Sequence, residues 1–155
     1  MAFNTLAVQD TITAKLKLIL PNHQVIEDGI LDDANLVRDA NERLVPYVIT
    51  RYGPLRRKYL GYAVAGTRYD DYYSTTDIMV VAPKGRMARE GIMILTDALI
   101  GFKPDGTSEM TIEGGSSDFV IMDAEARPSA FVASVRFRFG VNQAGVASFL
   151  VPPTP

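Results

Sequence analysis

SAFVASVRFRF, running from Ser129 to Phe139, is the stretch that decides the fold. Phe131, Ala133, Val135, Phe137 and Phe139 fall on one side of a two-residue period; Val132, Ser134, Arg136 and Arg138 fall on the other. Successive side chains of an extended chain point to opposite faces, so this alternation predicts a strand with one face in a core and one partly polar face. Such a face needs cover, and the chain upstream holds two candidates for it.

The first is Asn4 to Leu20. Val8, Ile12, Leu16 and Ile19 recur at three- and four-residue spacing, Asn4 is a capping residue type, and Lys15 and Lys17 suit the negative end of a helix dipole. Pro21 and Asn22 stop it. The second is Met87 to Ile100, with Met87, Ile92, Leu95 and Leu99 as the apolar stripe and Gly101 as the stop. Gly91 weakens this helix by about 1 kcal/mol relative to alanine, so packing has to hold it.

Between and around these helices the pattern is extended. Gln24 to Ile30 reads as a short strand closed by Gly29, and Asp32 to Glu42 as a charged short helix or loop. Leu44 to Arg51 alternates as a strand, with Pro46 marking an edge position or a strand start. Gly53-Pro54 reads as a turn, after which Arg57 to Ala65 pairs back as a hairpin partner. Thr76 to Ala82 is a further strand. Glu109 to Glu113 and Asp118 to Asp123 follow as two strands joined across Gly114-Gly115. Helix, strands, helix, three strands defines an α+β class: a single domain with a mixed, mostly antiparallel sheet and two helices packed on it.

The domain is expected to span residues 1–139, and residues 140–155 to form an uncharged extended arm. Gly140 to Pro155 holds no charged side chain, yet carries Val141, Val146, Phe149, Leu150 and Val151. Disordered tails are normally polar, because an apolar one gains by leaving water. Docking of this arm, with Phe149 and Leu150 as anchors, is weighed against a frayed terminus.

At 155 residues the chain is long enough to bury about 70% of its unfolded surface. A hydrophobic content of 47%, a charged content of 22% and a formal net charge of -2 are ordinary for a globular protein and give no overall pull toward nucleic acid or acidic membranes. The absence of cysteine excludes disulfides and thiolate metal sites and is compatible with assembly in a reducing cytosol. No apolar stretch approaches the ~20 residues of a membrane span, and no signal peptide is visible at the N-terminus.

Catalytic signatures are mostly missing. His23, the single histidine, sits in a Pro-Asn-His-Gln turn and reads as a solvated turn residue; no serine elbow accompanies it. Pro83-Lys84-Gly85-Arg86 lacks the spacing of a phosphate loop. Asp28, Asp32, Asp33 and Asp39 do not match calcium-loop spacing and read as a solvated acidic face. No catalytic, metal or cofactor-binding residue is therefore expected, and no cofactor.

Two clusters suit contact with other chains. Arg56, Arg57 and Lys58 gather with Arg51 around the Gly53-Pro54 turn, interleaved with Tyr52 and Tyr59; such a tip is commonly just charged, but arginine and tyrosine are also enriched in protein interfaces. Contact with nucleic acid ranks below both readings. Arg68-Tyr69-Asp70-Asp71-Tyr72-Tyr73 is expected on the loop between two strands. Tyr69, Tyr72 and Tyr73 there favour an intersubunit contact over a loop folded onto its own sheet.

In order and length the chain resembles the tail terminator proteins of long-tailed (siphovirus-like) bacteriophages. The residues that carry the resemblance are Leu44-Val45-Pro46-Tyr47-Val48-Ile49, then Thr75 to Pro83 running into the Met87 helix, and the closing Val135-Arg136-Phe137-Arg138-Phe139 strand. The resemblance implies a structural virion protein that forms a ring, commonly a hexamer, on the last ring of the tail tube. It implies as partners the chain itself, the tail tube protein and the head-tail connector or neck protein, with DNA only in transit through the channel and no membrane. It also implies assembly in the host cytoplasm and a final place in the virion, at the tail or neck. The uncharged arm and the Arg56-Arg57-Lys58 cluster have no counterpart in that pattern.

Two rivals stand beside this reading. One is another neck or tail-tube subunit, although tube proteins lean further toward β-sandwiches. The other, from a different class, is a small α+β enzyme or ligand-binding domain that uses Tyr and Asp side chains in a pocket between helices and sheet.

Overall fold

The structure is a computed structural model, and it describes residues 5–28, 36–57, 72–113, 121–123 and 130–141. Helices α1 (Thr5–Ile19) and α2 (Gly85–Leu99) punctuate seven strands: β1 (Gln24–Glu27), β2 (Tyr47–Tyr52), β3 (Arg56–Arg57), β4 (Tyr72–Ala82), β5 (Thr111–Ile112), β6 (Ile121–Asp123) and β7 (Ala130–Val141). They form one sheet in the order β1-β2-β4-β7-β5, with β3 on β4 and β6 on β7. Among the described strands only β1 and β2 run parallel; the other pairs are antiparallel. The fold is the expected α+β class.

The two long strands, β4 and β7, pair over eleven residues, from Tyr72↔Val141 to Ala82↔Phe131. Their alternation sets the layers. Ile78 and Val80 of β4 and Val135, Phe137 and Phe139 of β7 point into the core with Val48 of β2. Val8, Ile12 and Leu16 of α1 and Leu95 and Leu99 of α2 close over them from the same side. Full burial of each large apolar side chain contributes about 1.5–3 kcal/mol, so this one layer carries most of the stability.

Gly91 explains how α2 comes so close to the sheet. A Cβ built there would lie 2.8 Å from Val80 Cγ1 and 3.5 Å from His23 Nε2. The missing side chain lets helix and strand approach, and that contact offsets the weak helix propensity. The buried residues of α2 are Ala88, Gly91, Leu95 and Leu99, whereas Met87, expected in the apolar stripe, is exposed. The stripe is thus rotated toward small residues.

Gly53-Pro54 is not a turn. Tyr52 pairs with Thr76 and Arg56 with Tyr73, so β3 continues β2 along the same edge of β4 with one residue inserted. This is a β-bulge. Gly53 N donates to Thr75 O, and a Cβ at Gly53 would meet Thr75 Oγ1 at 2.6 Å. Pro54 has no N–H to give to the ladder, which fits the break there. The expected hairpin partner from Arg57 therefore begins as a neighbour of β4 instead; residues 58–71 lie outside the described residues.

Further boundaries shift. Pro46 precedes β2, which lies between β1 and β4, so it marks a strand start and not an edge. Residues 36–42 hold a turn braced by Asp39, whose Oδ1 accepts from Asn41 N and Arg43 N, and no helix forms among them. β5 and β6 both pair with β7, at Phe137–Arg138 and at Ala130–Val132 respectively. β7 runs on through Gly140 and Val141, because Tyr73 and Tyr72 of β4 are there to pair with them. Residues 142–155, including Phe149 and Leu150, lie outside the described residues.

Candidate functional site

Both helices cover one face of the sheet, and among the described residues no helix covers the other. That second face carries Tyr47, Ile49 and Arg51 of β2, the odd-numbered residues Tyr73 to Val81 of β4, and the even-numbered residues Ala130 to Arg138 of β7, as the pairing register dictates. It divides into two parts. Near the Ala82 end of β4, Ile49, Val81 and Ala130 form a small apolar cluster flanked by Tyr47, Met79 and Val132. Toward the β3 end it becomes charged and aromatic.

A row of alternating sign crosses the middle. Arg51 lies opposite Asp77, and Asp77 opposite Arg136. Arg136 donates through Nε to Asp77 Oδ1 and through Nη2 to Asp77 Oδ2 at 3.0 Å, with Glu113 Oε2 3.9 Å from Nε. Donating these hydrogen bonds to Asp77 holds Arg136 still further toward its charged form. The pair is open to solvent, so it fixes side-chain direction more than it stabilises the fold.

Two residues along β7, Arg138 takes a different arrangement. Its guanidinium carbon lies 4.0 Å from the centroid of the Tyr73 ring. Tyr73 pairs with Gly140, which makes Arg138 its diagonal cross-strand neighbour, within reach of a long side chain. A surface pocket of about 620 Å³ opens beside this stack, lined by Thr107, Ser108, Glu109 and Thr111 from the segment alongside β7. Ser108 N donates to Gly140 O at 2.8 Å and Gly140 N donates to Ser108 Oγ at 2.7 Å, so the pocket wall is tied to the strand.

Of the residues expected to make contacts, Tyr72 and Tyr73 lie in β4 and not on a loop. The strand extends that far because β3 and β7 flank it, and tyrosine suits a half-buried pleated surface. Arg56 pairs with Tyr73, so the structure brings Arg56, Tyr73 and Arg138 to one end of the sheet. Arg57 pairs through its backbone with Tyr72. Lys58 and Tyr69 lie outside the described residues. Arg138 was legible as an outward residue, but its stack on Tyr73 needs the β4–β7 register, which no local pattern supplies.

His23 is not the solvated turn residue its neighbours suggested. It is half-buried against Gly91 of α2, both ring nitrogens are shielded from solvent, and neither has a hydrogen-bond partner among the described residues. Desolvation lowers its pKa from the ordinary 6.5, so the ring is neutral at physiological pH. At the far end of β1, Thr13 Oγ1 donates to Glu27 Oε1 and lies 3.0 Å from Tyr52 Oη, which donates to Gln9 O at 3.2 Å. Burial raises the Tyr52 pKa; hydrogen bonds with Thr13 and Thr50 oppose that shift, and the charges of Glu27 and Asp28 add to it. This cluster ties α1 to β1 and β2 and leaves the tyrosine a poor proton donor to anything else.

Apolar side chains are also left in water. On α2, Met93 and Ile94 are 61% and 43% exposed, and Ile100, just past the helix end, is 51% exposed; on the short edge strands, Ile112, Ile121 and Met122 are exposed. No group of metal-ligating side chains occurs among the described residues, and no helix there is long and apolar enough to cross a membrane.

No protein-family model matches the sequence, and no curated protein matches it. Among solved structures, the gp17 protein of bacteriophage SPP1 is similar in outline: TM-score 0.44, 14% sequence identity, 89% of this chain and 91% of that chain covered.

Proposed function

We propose that the chain is a structural assembly subunit, a tail terminator that forms a ring at the head-proximal end of a phage tail tube, ends tube polymerisation and offers a surface to the head connector. The observation that carries the assembly reading is the pair of unlike surfaces on one small domain. One is the sheet face that no helix covers among the described residues, with its arginine–tyrosine stack; the other lies on the helix side, where Met93 and Ile94 of α2 and Ile112 of β5 are exposed. Arginine and tyrosine are enriched at binding hot spots, and clustered exposed apolar residues mark protein contacts. The particular role rests on the order and length of elements by which the sequence resembles tail terminators.

A ring requires heterologous contacts, two different patches of each copy meeting in turn, and two unlike surfaces fit that requirement. The subunit acts by binding alone, and its function needs no catalysis. Its partners are further copies of itself, the tube protein and the connector or neck protein, and its final location is the virion. The uncharged segment beyond Val141 belongs to the attachment to a neighbour; cutting the chain after Asn142 should leave the domain folded and weaken joining.

Electron microscopy of tube subunits polymerised with and without the protein tests the role. The proposal expects label from the tagged protein at one end of each tube and arrest of growth there. Label along the tube wall, or unchanged growth with no end label, would overturn it.

A further inference from the structure

We infer that the pocket beside Tyr73 and Arg138 is a binding site for a single carboxylate side chain presented by a peptide segment of mixed charge on a partner protein. Arg136 and Arg138 supply an internal contrast on one strand. Arg136 donates two hydrogen bonds to Asp77. Arg138 has no carboxylate partner among the described residues; its guanidinium lies over the Tyr73 ring at 4.0 Å instead. Stacking on an aromatic face covers one side of the guanidinium plane and leaves its edge N–H groups as a planar fork, the geometry that takes a carboxylate through two parallel bonds.

The surroundings narrow the ligand class. The pocket holds about 620 Å³, room for a side chain and its flanking backbone, and Ser108 and Thr111 add hydroxyls to its wall. Glu109 lines the same pocket. A carboxylate there opposes a run of phosphates, which disfavours a nucleic-acid backbone, but tolerates one carboxylate flanked by donors, as in a peptide that mixes acidic and basic residues. The wall cannot drift from the strand, because Ser108 and Gly140 bond each other in both directions. The fork is therefore positioned before the ligand arrives, which limits the ordering cost of binding. The inference rests on the assembly reading only in taking the partner to be a protein.

The test is an NMR titration of the full chain with a blocked pentapeptide, acetyl-Gly-Glu-Ser-Lys-Gly-amide, and with its counterpart carrying Gln for Glu. The expected result is saturable shifts of the Gly140 amide and the Arg138 Nε–H with the Glu peptide and none with the Gln peptide. Arg138→Gln should weaken binding about tenfold, the loss of one charge-assisted pair. Arg136→Gln should leave it unchanged, and both variants keep the fold because the substituted side chains reach solvent. Equal shifts with both peptides, no saturable shift, or binding that survives Arg138→Gln would overturn the inference. Tighter binding of inorganic phosphate or of a DNA oligonucleotide at the same resonances would also overturn it, by assigning the site to phosphate. A protein that stays monomeric but binds the Glu peptide would retain this site while the ring reading failed.

Discussion

Arg136 and Phe137 are neighbours in sequence and opposites in surroundings. Phe137 is fully buried beneath the helices, while Arg136 is exposed on the helix-free face, held by Asp77 across the strand pair. One strand thus builds two surfaces with different tasks. The helix side holds the molecule together through apolar burial, and the open side arranges charge and aromatic groups at little energetic gain to the fold. Mutations on the two sides should therefore separate stability from contact.

The largest effect belongs to Phe137. Phe137→Ala removes a fully buried ring from the centre of the core and should cost about 3–5 kcal/mol in denaturant unfolding. A loss below ~1 kcal/mol would mean that the helix side is not the stabilising layer.

Gly91→Ala comes next and has a sign that separates two effects. On propensity alone it should stabilise α2 by about 1 kcal/mol. The new methyl would meet Val80 Cγ1 at 2.8 Å, and β-branched Val80 is fully buried between helix and strand, so overpacking should win with a net loss of about 1–2 kcal/mol. Adding Val80→Ala should recover part of the loss, a non-additivity expected only if the two residues touch.

His23 sharpens the comparison through pH. Its pKa is lowered on folding because the ring is desolvated, so the unfolded chain binds the proton more readily than the native one. The stabilising contribution of the neutral ring is complete well above 6.5, is lost as pH falls below 6.5, and levels off once the folded ring also protonates. His23→Leu should flatten that part of the stability–pH curve and cost little at neutral pH, since neither ring nitrogen has a partner to lose among the described residues. An unchanged pH slope in the variant would place its origin elsewhere.

The smallest effect belongs to the open face. Arg136→Gln should change stability by less than about 1 kcal/mol, and the difference should shrink further in salt. A larger loss would show that the charged row holds the sheet together and does more than orient side chains.

The same contrast explains what could be read beforehand. β7 was legible because its core positions are apolar and its open positions mostly are not. β4 was read only from Thr76, because its core face turns polar above that point: Ser74 and Thr76 are buried where a pattern search looks for Val or Ile. Ser74 manages this by donating from Oγ to Gly53 O at 2.8 Å, a partner that exists only once the bulge has formed. The bulge itself was invisible, since Gly-Pro marks turns and bulges alike and only the register against β4 separates them. His23 was misread for a related reason: its immediate neighbours are turn residues, but its surroundings come from Gly91, distant in the sequence. At the candidate site the residue types stood out early, while the pairing of Tyr73 with Arg138 depended on long-range register.

Native mass spectrometry of the purified protein, alone and mixed with tube subunits, tests the central claim most directly. The account predicts a discrete closed oligomer of this chain in at least the mixture, since rings can require the tube end as a template. A strictly monomeric protein at every concentration, with tube subunits present and unbound, would contradict it.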